Sequence, residues 1–198
     1  MKYLFKSLVC AFVVTCLMAM TGFYGACEEI RGDVLRLHIL ANSDSDEDQK
    51  LKLKVRDGLL GYTDELFSEC IDKNEALRSA QEHIGEIRSF AEKTVREYGY
   101  SYPVQAYVTN MSFDTREYGK LTLPAGRYDA VRIIIGKGEG HNWWCVLFPA
   151  LCLPSAGGNV LGNALDGAEQ DIVSGGDRYQ VRFKLLEWAE AFFGLFGG

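Results

Sequence analysis

The feature that most constrains the fold is a change of hydrophobic period midway along the chain. Between Gln49 and Tyr98, apolar residues recur every three or four positions, which predicts amphipathic helices. After the segment "YSYP", Val104, Ala106 and Val108 alternate with their neighbours, and this period of two predicts a half-buried strand. The helical region is therefore followed by a region of strands, as is typical of an α+β domain in which the helices pack on one sheet.

Two long helices and several strands follow from these periods. One helix is predicted from Gln49 to about Cys70, and a second from Asp72 to Tyr98, with Gly99 as a left-handed C-cap. An N-terminal strand is predicted within "DVLRLHILANSD", where leucine and isoleucine alternate with arginine and histidine.

Further strands are predicted at "DAVRIIIG" (129–136) and "WWCVLF" (143–148). Short connections join these two strands and the strand at 104–108, so consecutive strands are predicted to pair antiparallel. The predicted fold class is α+β. It has an N-terminal strand and two long helices packed on a small antiparallel sheet of about three to four strands, with a C-terminal amphipathic helix.

The N-terminus has the pattern of an export signal. Lys2 and Lys6 supply a positive start, and the segment from Leu8 to Met20 is almost wholly apolar. Residues 1–26 are therefore predicted to be a signal peptide or an N-terminal membrane anchor, so the rest of the chain is expected outside the cytoplasm. A possible tether to the membrane through this segment follows from the second alternative.

The cleavage region leaves these alternatives open. Small residues occur at Gly22, Gly25 and Ala26, but they do not form the A-x-A pattern that precedes a cut. Cys27 suggests a lipoprotein, although Tyr24 stands where a lipidation motif needs an aliphatic residue. Lipidation at Cys27 is thus the less favoured hypothesis.

Residues 27–198 have the length of a single globular domain. Within them, 155–180 is rich in glycine and is predicted to be a loop region. Residues 181–196 are predicted to form the C-terminal amphipathic helix, whose apolar face is expected to dock on protein.

Export changes the interpretation of the cysteines, because disulfides persist in oxidising compartments. Cys27, Cys70, Cys145 and Cys152 follow the apolar segment, and four cysteines allow three pairings. A Cys145–Cys152 disulfide is the favoured candidate, with the chain reversing near Pro149 because bridged Cα atoms must lie within about 7 Å.

Several classes of function are disfavoured by composition and motif. The net charge of −6, with no basic cluster, argues against nucleic-acid binding. The apolar neighbours of Cys145 would raise its pKa and disfavour a nucleophile, and Ser155 lacks the first glycine of a nucleophile elbow. His38, His83 and His141 are scattered, so no metal site is predicted. No cofactor and no small-molecule substrate are expected.

The acidic segment "SDSDEDQ" has two interpretations. Asp44, Asp46 and Asp48 have the spacing of the first calcium ligands in an EF-hand loop, but the glycine and the bidentate glutamate that should follow are missing. Ser45 with Asp48 instead forms a capping-box pattern at the start of a helix. The capping interpretation is preferred, and the loop is kept as a candidate binding surface.

The segment "GHNWWCVLFPALCLP" is the strongest candidate for contact with a partner. Trp143 and Trp144 are adjacent in a predicted strand, so their side chains must face opposite sides. One is expected in the core, which leaves the other free to lie under a helix or to meet a partner, since tryptophan is frequent at interface hot spots. The candidate interface residues are Asn142, Trp143, Trp144, Phe148, Asp44 and Asp46.

"RLHILANSDSDEDQKLKLKVRDGLL" and "LPAGRYDAVRIIIGKGEGHNWWCVLFPALC" resemble the stage II sporulation protein R family of endospore-forming bacteria, with a weaker echo in "VRFKLLEW". The resemblance implies a protein without catalysis of its own, secreted from the forespore into the space between the two sporulating membranes. There it would activate a membrane-embedded aspartic protease that cleaves the precursor of the mother-cell sigma-E factor. Two other classes stay open, a peptidoglycan-binding module that stacks sugars on a tryptophan and an extracytoplasmic hydrolase.

Overall fold

A computed structural model describes residues 2–118, 121–150, 167–175 and 179–188. The helices are α1 (Lys2–Gly32), α2 (Asp46–Leu66), α3 (Lys73–Glu82), α4 (Ile84–Glu97), α5 (Gly167–Ser174) and α6 (179–188). The strands are β1 (Leu35–Leu40), β2 (Val104–Phe113), β3 (Arg116–Tyr118), β4 (Leu121–Leu123), β5 (Gly126–Ile135) and β6 (Asn142–Phe148).

These elements form two compact units that are interleaved along the chain. The sheet unit comprises the described parts of 32–113 and 127–166, and the hairpin unit comprises the described parts of 1–31, 114–126 and 167–198. The single domain predicted for 27–198 stays a prediction.

The sheet unit contains four strands in the order β2-β5-β1-β6. β1 pairs with β5 in parallel and with β6 antiparallel, so β5 and β6 are not the antiparallel neighbours that their short connection predicts. The physical reason is the burial of β1, five of whose six residues are buried. A strand that is buried on both faces is most stable in the interior of a sheet, so β1 lies between the two strands expected to form a hairpin.

The helices of the sheet unit bury the aliphatic side of β1. Leu35, Leu37 and Ile39 belong to the same core as buried residues of α2, α3 and α4. Val131, Ile133 and Ile135 of β5 and Cys145 and Leu147 of β6 complete this core on the same side. We call this side of the sheet the helix face.

The helix boundaries confirm the predicted caps but correct the helix lengths. α2 begins at Asp46, because the Ser45 hydroxyl accepts a hydrogen bond from the Asp48 amide at 3.2 Å. The helix predicted from Asp72 to Tyr98 is two helices, α3 and α4, which meet at His83. His83 has φ −101° and ψ 13°, outside the helical range, and therefore ends the first helix. Gly99 has a φ of +84°, as its predicted C-cap role requires.

The hairpin unit contains the antiparallel pair β3–β4 with α1, α5 and α6. The predicted loop region 155–180 includes α5, while residues 151–166 and 176–178 lie outside the described residues. The predicted helix 181–196 is helical over its described part, and 189–196 lie outside it. In the described part of the chain, no helix combines the length and the apolar character needed to cross a membrane. The export segment at 1–26 stays a prediction.

Candidate interaction site

Two loops that are distant in sequence lie side by side at one end of the sheet. One is the β1–α2 loop (41–45) and the other is the β5–β6 loop (136–141), and together we call them the loop pair. The Gly140 amide donates to the Ala41 carbonyl at 3.0 Å, and the Lys137 amide donates to the Asn42 side-chain oxygen at 3.0 Å. A Cβ on Gly140 would collide with the Ser43 carbonyl, so the close approach of the loops requires glycine there.

Asp44 and His141 join the exposed rims of the two loops. The His141 amide donates to Asp44 Oδ1 at 2.6 Å, and the ring Nδ1 of His141 contacts the same oxygen. Both side chains are exposed, by 54% for Asp44 and 78% for His141. The amide hydrogen bond from His141 is the main reason why the pKa of Asp44 lies below its ordinary value. The histidine that sequence patterns left scattered is therefore the partner of a candidate interface residue.

Asp48 supports the loop pair from inside. It is buried, and its Oδ2 accepts hydrogen bonds from Asn42 Nδ2 at 2.8 Å and from Ser43 Oγ at 2.6 Å. Burial alone would raise the pKa of Asp48, but hydrogen bonds from Ser43, Asn42 and Tyr102 outweigh it and hold the pKa below its usual value. An ionised Asp48 thus fixes the conformation of the β1–α2 loop.

The three acidic residues with calcium-like spacing have separate roles. Asp44 contacts His141, Asp48 contacts the inside of its own loop, and Asp46 is exposed in the first turn of α2. Within the described ranges, no group of three His, Cys, Asp or Glu side chains is arranged to hold a metal ion.

Lys52 links α2 to the β5–β6 loop. Its buried ammonium donates to Gln49 Oε1 at 2.6 Å and to the His141 carbonyl at 2.8 Å. Burial lowers the pKa of Lys52, and the nearby Asp44 carboxylate opposes that shift. Hydrogen bonds therefore hold both backbone groups of His141: Lys52 donates to its carbonyl, and Asp44 accepts from its amide.

The two adjacent tryptophans face opposite sides of β6, as predicted. Trp143 packs against the helix-face core, with the Arg56 guanidinium 4.3 Å from its ring centroid. Trp144 lies on the other side, where it stacks on His38 with ring centroids 3.9 Å apart and an interplanar angle of 4°. Both are half-buried, so neither is a fully buried core residue, and contact of either with a partner stays a prediction.

The side of the sheet opposite the helices holds an aromatic cluster, which we define as Arg36, His38, Phe113, Tyr128 and Trp144. Arg36 is fully buried, with its guanidinium 4.0 Å from the Phe113 ring centroid and 4.9 Å from that of Tyr128. Phe113 also meets Trp144 edge-on at 4.8 Å. The polar residues that alternate with leucine in β1 are thus buried against rings.

His38 connects the aromatic cluster to the loop pair. Its exposed fraction is 2%, and its Nε2 donates to Asn142 Oδ1 at 2.8 Å. Burial lowers the pKa of His38 to about 4; the Asn142 hydrogen bond opposes this shift and the charge of Arg132 adds to it. His38 is therefore neutral at pH 7. Its hydrogen bond holds the side chain of Asn142, the residue directly after His141.

The structure brings some of the six candidate interface residues together and separates others. Asn142 and Trp144 both contact His38, and Asp44 is joined to His141, the residue before Asn142. Phe148 lies at the far end of β6, about 20 Å from Asn142 at the usual rise of a strand. Sequence patterns missed Asn42, His141, Lys52 and His38, because their partners are far away in sequence.

Cys145 is fully buried on the helix face. Among the described cysteines, Cys10, Cys27 and Cys70 carry free thiols. Cys152, the predicted partner of Cys145, lies outside the described residues.

The sequence model of the stage II sporulation protein R family matches residues 31–157, which is more than half of the chain. The chain belongs to this family. The match includes the loop pair and the described residues of the sheet unit, and membership of the family places the chain in sporulation.

A curated relative, stage II sporulation protein R of Bacillus subtilis (strain 168), is 40% identical over 123 residues. That alignment covers 62% of this chain and 55% of the relative, so the chain spans about half the length of the relative it matches. No solved structure is significantly similar to the chain.

Proposed function

We propose that this chain is an exported sporulation signal, secreted from the forespore into the space between the two sporulating membranes. There it binds a membrane-embedded aspartic protease and activates it, and the protease then cleaves the precursor of the mother-cell sigma-E factor. The N-terminal apolar segment directs export and either is removed or tethers the chain to the membrane. Membership of the stage II sporulation protein R family supports this proposal.

The observation that carries the proposal is the ordered and exposed surface at the loop pair. Asp44 and His141 are exposed, yet hydrogen bonds to the backbone and between side chains hold both. A surface that is already ordered loses little conformational entropy when a partner binds. Trp144 and Asn142 extend this surface along β6 with aromatic and amide groups.

In this proposal the chain has no chemical step of its own. A ligand shifts a two-state protein only by the difference between its affinities for the two states. Binding the active state of the protease about 100-fold more tightly than the inactive state would supply about 2.7 kcal/mol. An interface of a few well-placed aromatic and charged residues is sufficient for that difference.

A Cys145–Cys152 disulfide is part of the same proposal. The buried position of Cys145, together with the free thiols at Cys27 and Cys70, supports this pairing over the other two. A bridge of this length would hold the segment after β6 close to the strand. Peptide mapping of the exported chain under non-reducing conditions would identify the pair directly.

Co-expression in cells that do not sporulate tests the proposal. The exported chain is produced together with the candidate protease and the sigma-E precursor, and precursor cleavage is followed by immunoblot. Cleavage is expected to depend on the chain. Equal cleavage with and without the chain would contradict the proposed function.

Variants of the chain test the surface in the same assay. Asp44→Ala and Trp144→Ala are expected to reduce precursor cleavage at least about tenfold, the usual effect of removing an interface hot spot. Glu82→Ala and Trp188→Ala are the matched controls, because both residues are exposed and lie outside the surface. If the controls lower cleavage as much as the two test variants, the surface formed by the loop pair, Asn142 and Trp144 is not the contact surface.

A further inference from the structure

The two ends of α1 have opposite environments. Large apolar side chains near its start are exposed, namely Tyr3, Leu4, Phe5, Leu8, Phe12 and Met18. Near its end Phe23, Cys27, Ile30 and Arg31 are buried. One continuous helix therefore carries an exposed apolar segment and then a segment that belongs to the interior of the hairpin unit.

Phe23 is the first residue of the buried segment, and three side chains of α6 contact its ring. It stacks on Tyr179 at 5.7 Å with an interplanar angle of 15°, and it meets Phe183 at 5.5 Å at an angle of 63°. The Arg182 guanidinium lies 5.8 Å from the same ring. These contacts hold the first buried turn of α1 against the last described helix of the chain.

Arg31 anchors the other end of the segment. Its buried guanidinium donates to the Ala125 carbonyl and pairs with Glu28 in the preceding turn of α1. Gly126 has a φ of +143°, and a Cβ there would collide with the Arg31 guanidinium. The backbone between β4 and β5 is therefore shaped around the side chain of Arg31.

Cys27 lies between these two anchors. It is fully buried, and burial raises the pKa of its thiol to about 12. Its thiol is therefore protonated and shielded, which is the opposite of what modification of a cysteine requires.

We propose that the segment from Phe23 to Arg31 is a permanent part of the hairpin unit, and that proteolytic processing of the N-terminal segment cuts before Phe23. This assignment differs from the boundary after residue 26 that sequence alone suggests. A cut there would remove Phe23 and its contacts with α6. Modification of Cys27 would require the thiol to leave the core.

The N-terminus of the exported chain tests the position of the cut. The full chain is exported with its own N-terminal segment, and the product is analysed by intact mass and N-terminal sequencing. The product is expected to begin at or before Phe23, with Cys27 unmodified. A product that begins at Tyr24 or later, or that carries a lipid on Cys27, would overturn the proposal.

Thiol labelling of the full, unprocessed chain tests the packing independently. In native conditions an alkylating reagent is expected to label exposed Cys10 quickly and buried Cys27 only on opening of the hairpin unit. Phe23→Ala is expected to accelerate labelling of Cys27 at least about tenfold, because truncating a buried phenylalanine strongly favours opening.

Phe12→Ala is the matched control, since Phe12 is on the same helix and is 67% exposed. It is expected to leave the labelling rate of Cys27 unchanged, while Cys10 reports equal reagent activity in every sample. Labelling of Cys27 at the rate of Cys10 in the unsubstituted chain, or an equal effect of both substitutions, would show that the segment is not part of the unit.

Discussion

The two faces of the four-stranded sheet are built by the same strands but bury different chemistry. On the helix face, Leu35, Leu37 and Ile39 of β1 pack among other aliphatic side chains. On the opposite face, Arg36 and His38 of the same strand are buried against rings. The comparison shows that an alternating strand pattern can mark two buried faces rather than one buried and one exposed face.

The two faces also differ in how strongly they depend on geometry. Burial of aliphatic area stabilises the fold by about 25 cal/mol per Å², whatever the relative orientation of the side chains. A guanidinium beside an aromatic ring contributes about 0.5 to 2 kcal/mol, and only when it lies over the ring face. The helix face is therefore expected to contribute most of the free energy of unfolding. The aromatic cluster is expected to determine the position of β6, including Asn142 and Trp144.

The largest effect is expected on the helix face. Ile39→Ala should lower the free energy of unfolding by about 2–5 kcal/mol, because Ile39 is fully buried and its removal leaves a cavity. Urea denaturation followed by circular dichroism measures this change. Ile71→Ala is the matched control, since Ile71 is among the most exposed apolar residues, and it should cost less than about 0.5 kcal/mol. Similar losses for both would refute the assignment of the core.

The second effect is a pH dependence from the aromatic cluster. The pKa of His38 is about 4 in the folded chain, against an ordinary value of 6.5. As the pH falls, His38 therefore takes up a proton at a higher pH in the unfolded chain than in the folded chain. Stability should therefore fall as the pH drops from 7.5 to 5, by about 2 kcal/mol from this residue. His38→Gln should flatten this part of the profile in urea denaturation. An unchanged slope in the variant would show that His38 is not the group responsible.

A smaller effect distinguishes the two tryptophans. Trp144→Ala removes the ring that covers His38 and should raise the pKa of His38 toward its ordinary value, because the histidine then becomes more exposed to water. Trp143→Ala removes an equal side chain from the other face and should leave the pKa of His38 where it is. Titration of the His38 ring protons by NMR measures both. Equal shifts in the two variants would mean that the faces are coupled through β6.

The smallest effect on stability is expected at the loop pair. Asp44→Asn keeps an oxygen that accepts from the His141 amide but removes the charge, and exposed charges contribute little to stability. The thermal unfolding midpoint should match that of Glu82→Gln within measurement error, whereas precursor cleavage in the co-expression assay should fall only for Asp44→Asn. A clear drop of the midpoint for Asp44→Asn alone would give this residue a structural role instead.

Local features of this fold could be predicted from the sequence because their causes are local. The Ser45 cap depends on the residue three positions later. The left-handed conformation of Gly99 depends on its lack of a side chain. The opposite orientations of Trp143 and Trp144 follow from the geometry of a strand. The long helix around His83 was mispredicted because the apolar period continues through the break.

The remaining features depend on partners that are far away in sequence. No local pattern shows that β1 enters between β5 and β6, and without that order His38 cannot be placed against Trp144. The Asp44–His141 contact joins residues 97 positions apart. The glycines in "GKGEG" were the available signal, because a glycine such as Gly140 permits another backbone to approach closely.

The interleaving of the two units has a consequence for biogenesis. The hairpin unit joins a segment from the start of the chain, a segment from the middle and segments from residue 167 onward. During synthesis, Phe23 of α1 can therefore pack against Tyr179 only after nearly the whole chain has been made. A nonsense codon between β6 and α6 would leave Phe23 without Tyr179 and Phe183, so these contacts of the hairpin unit form only after α6 has been synthesised.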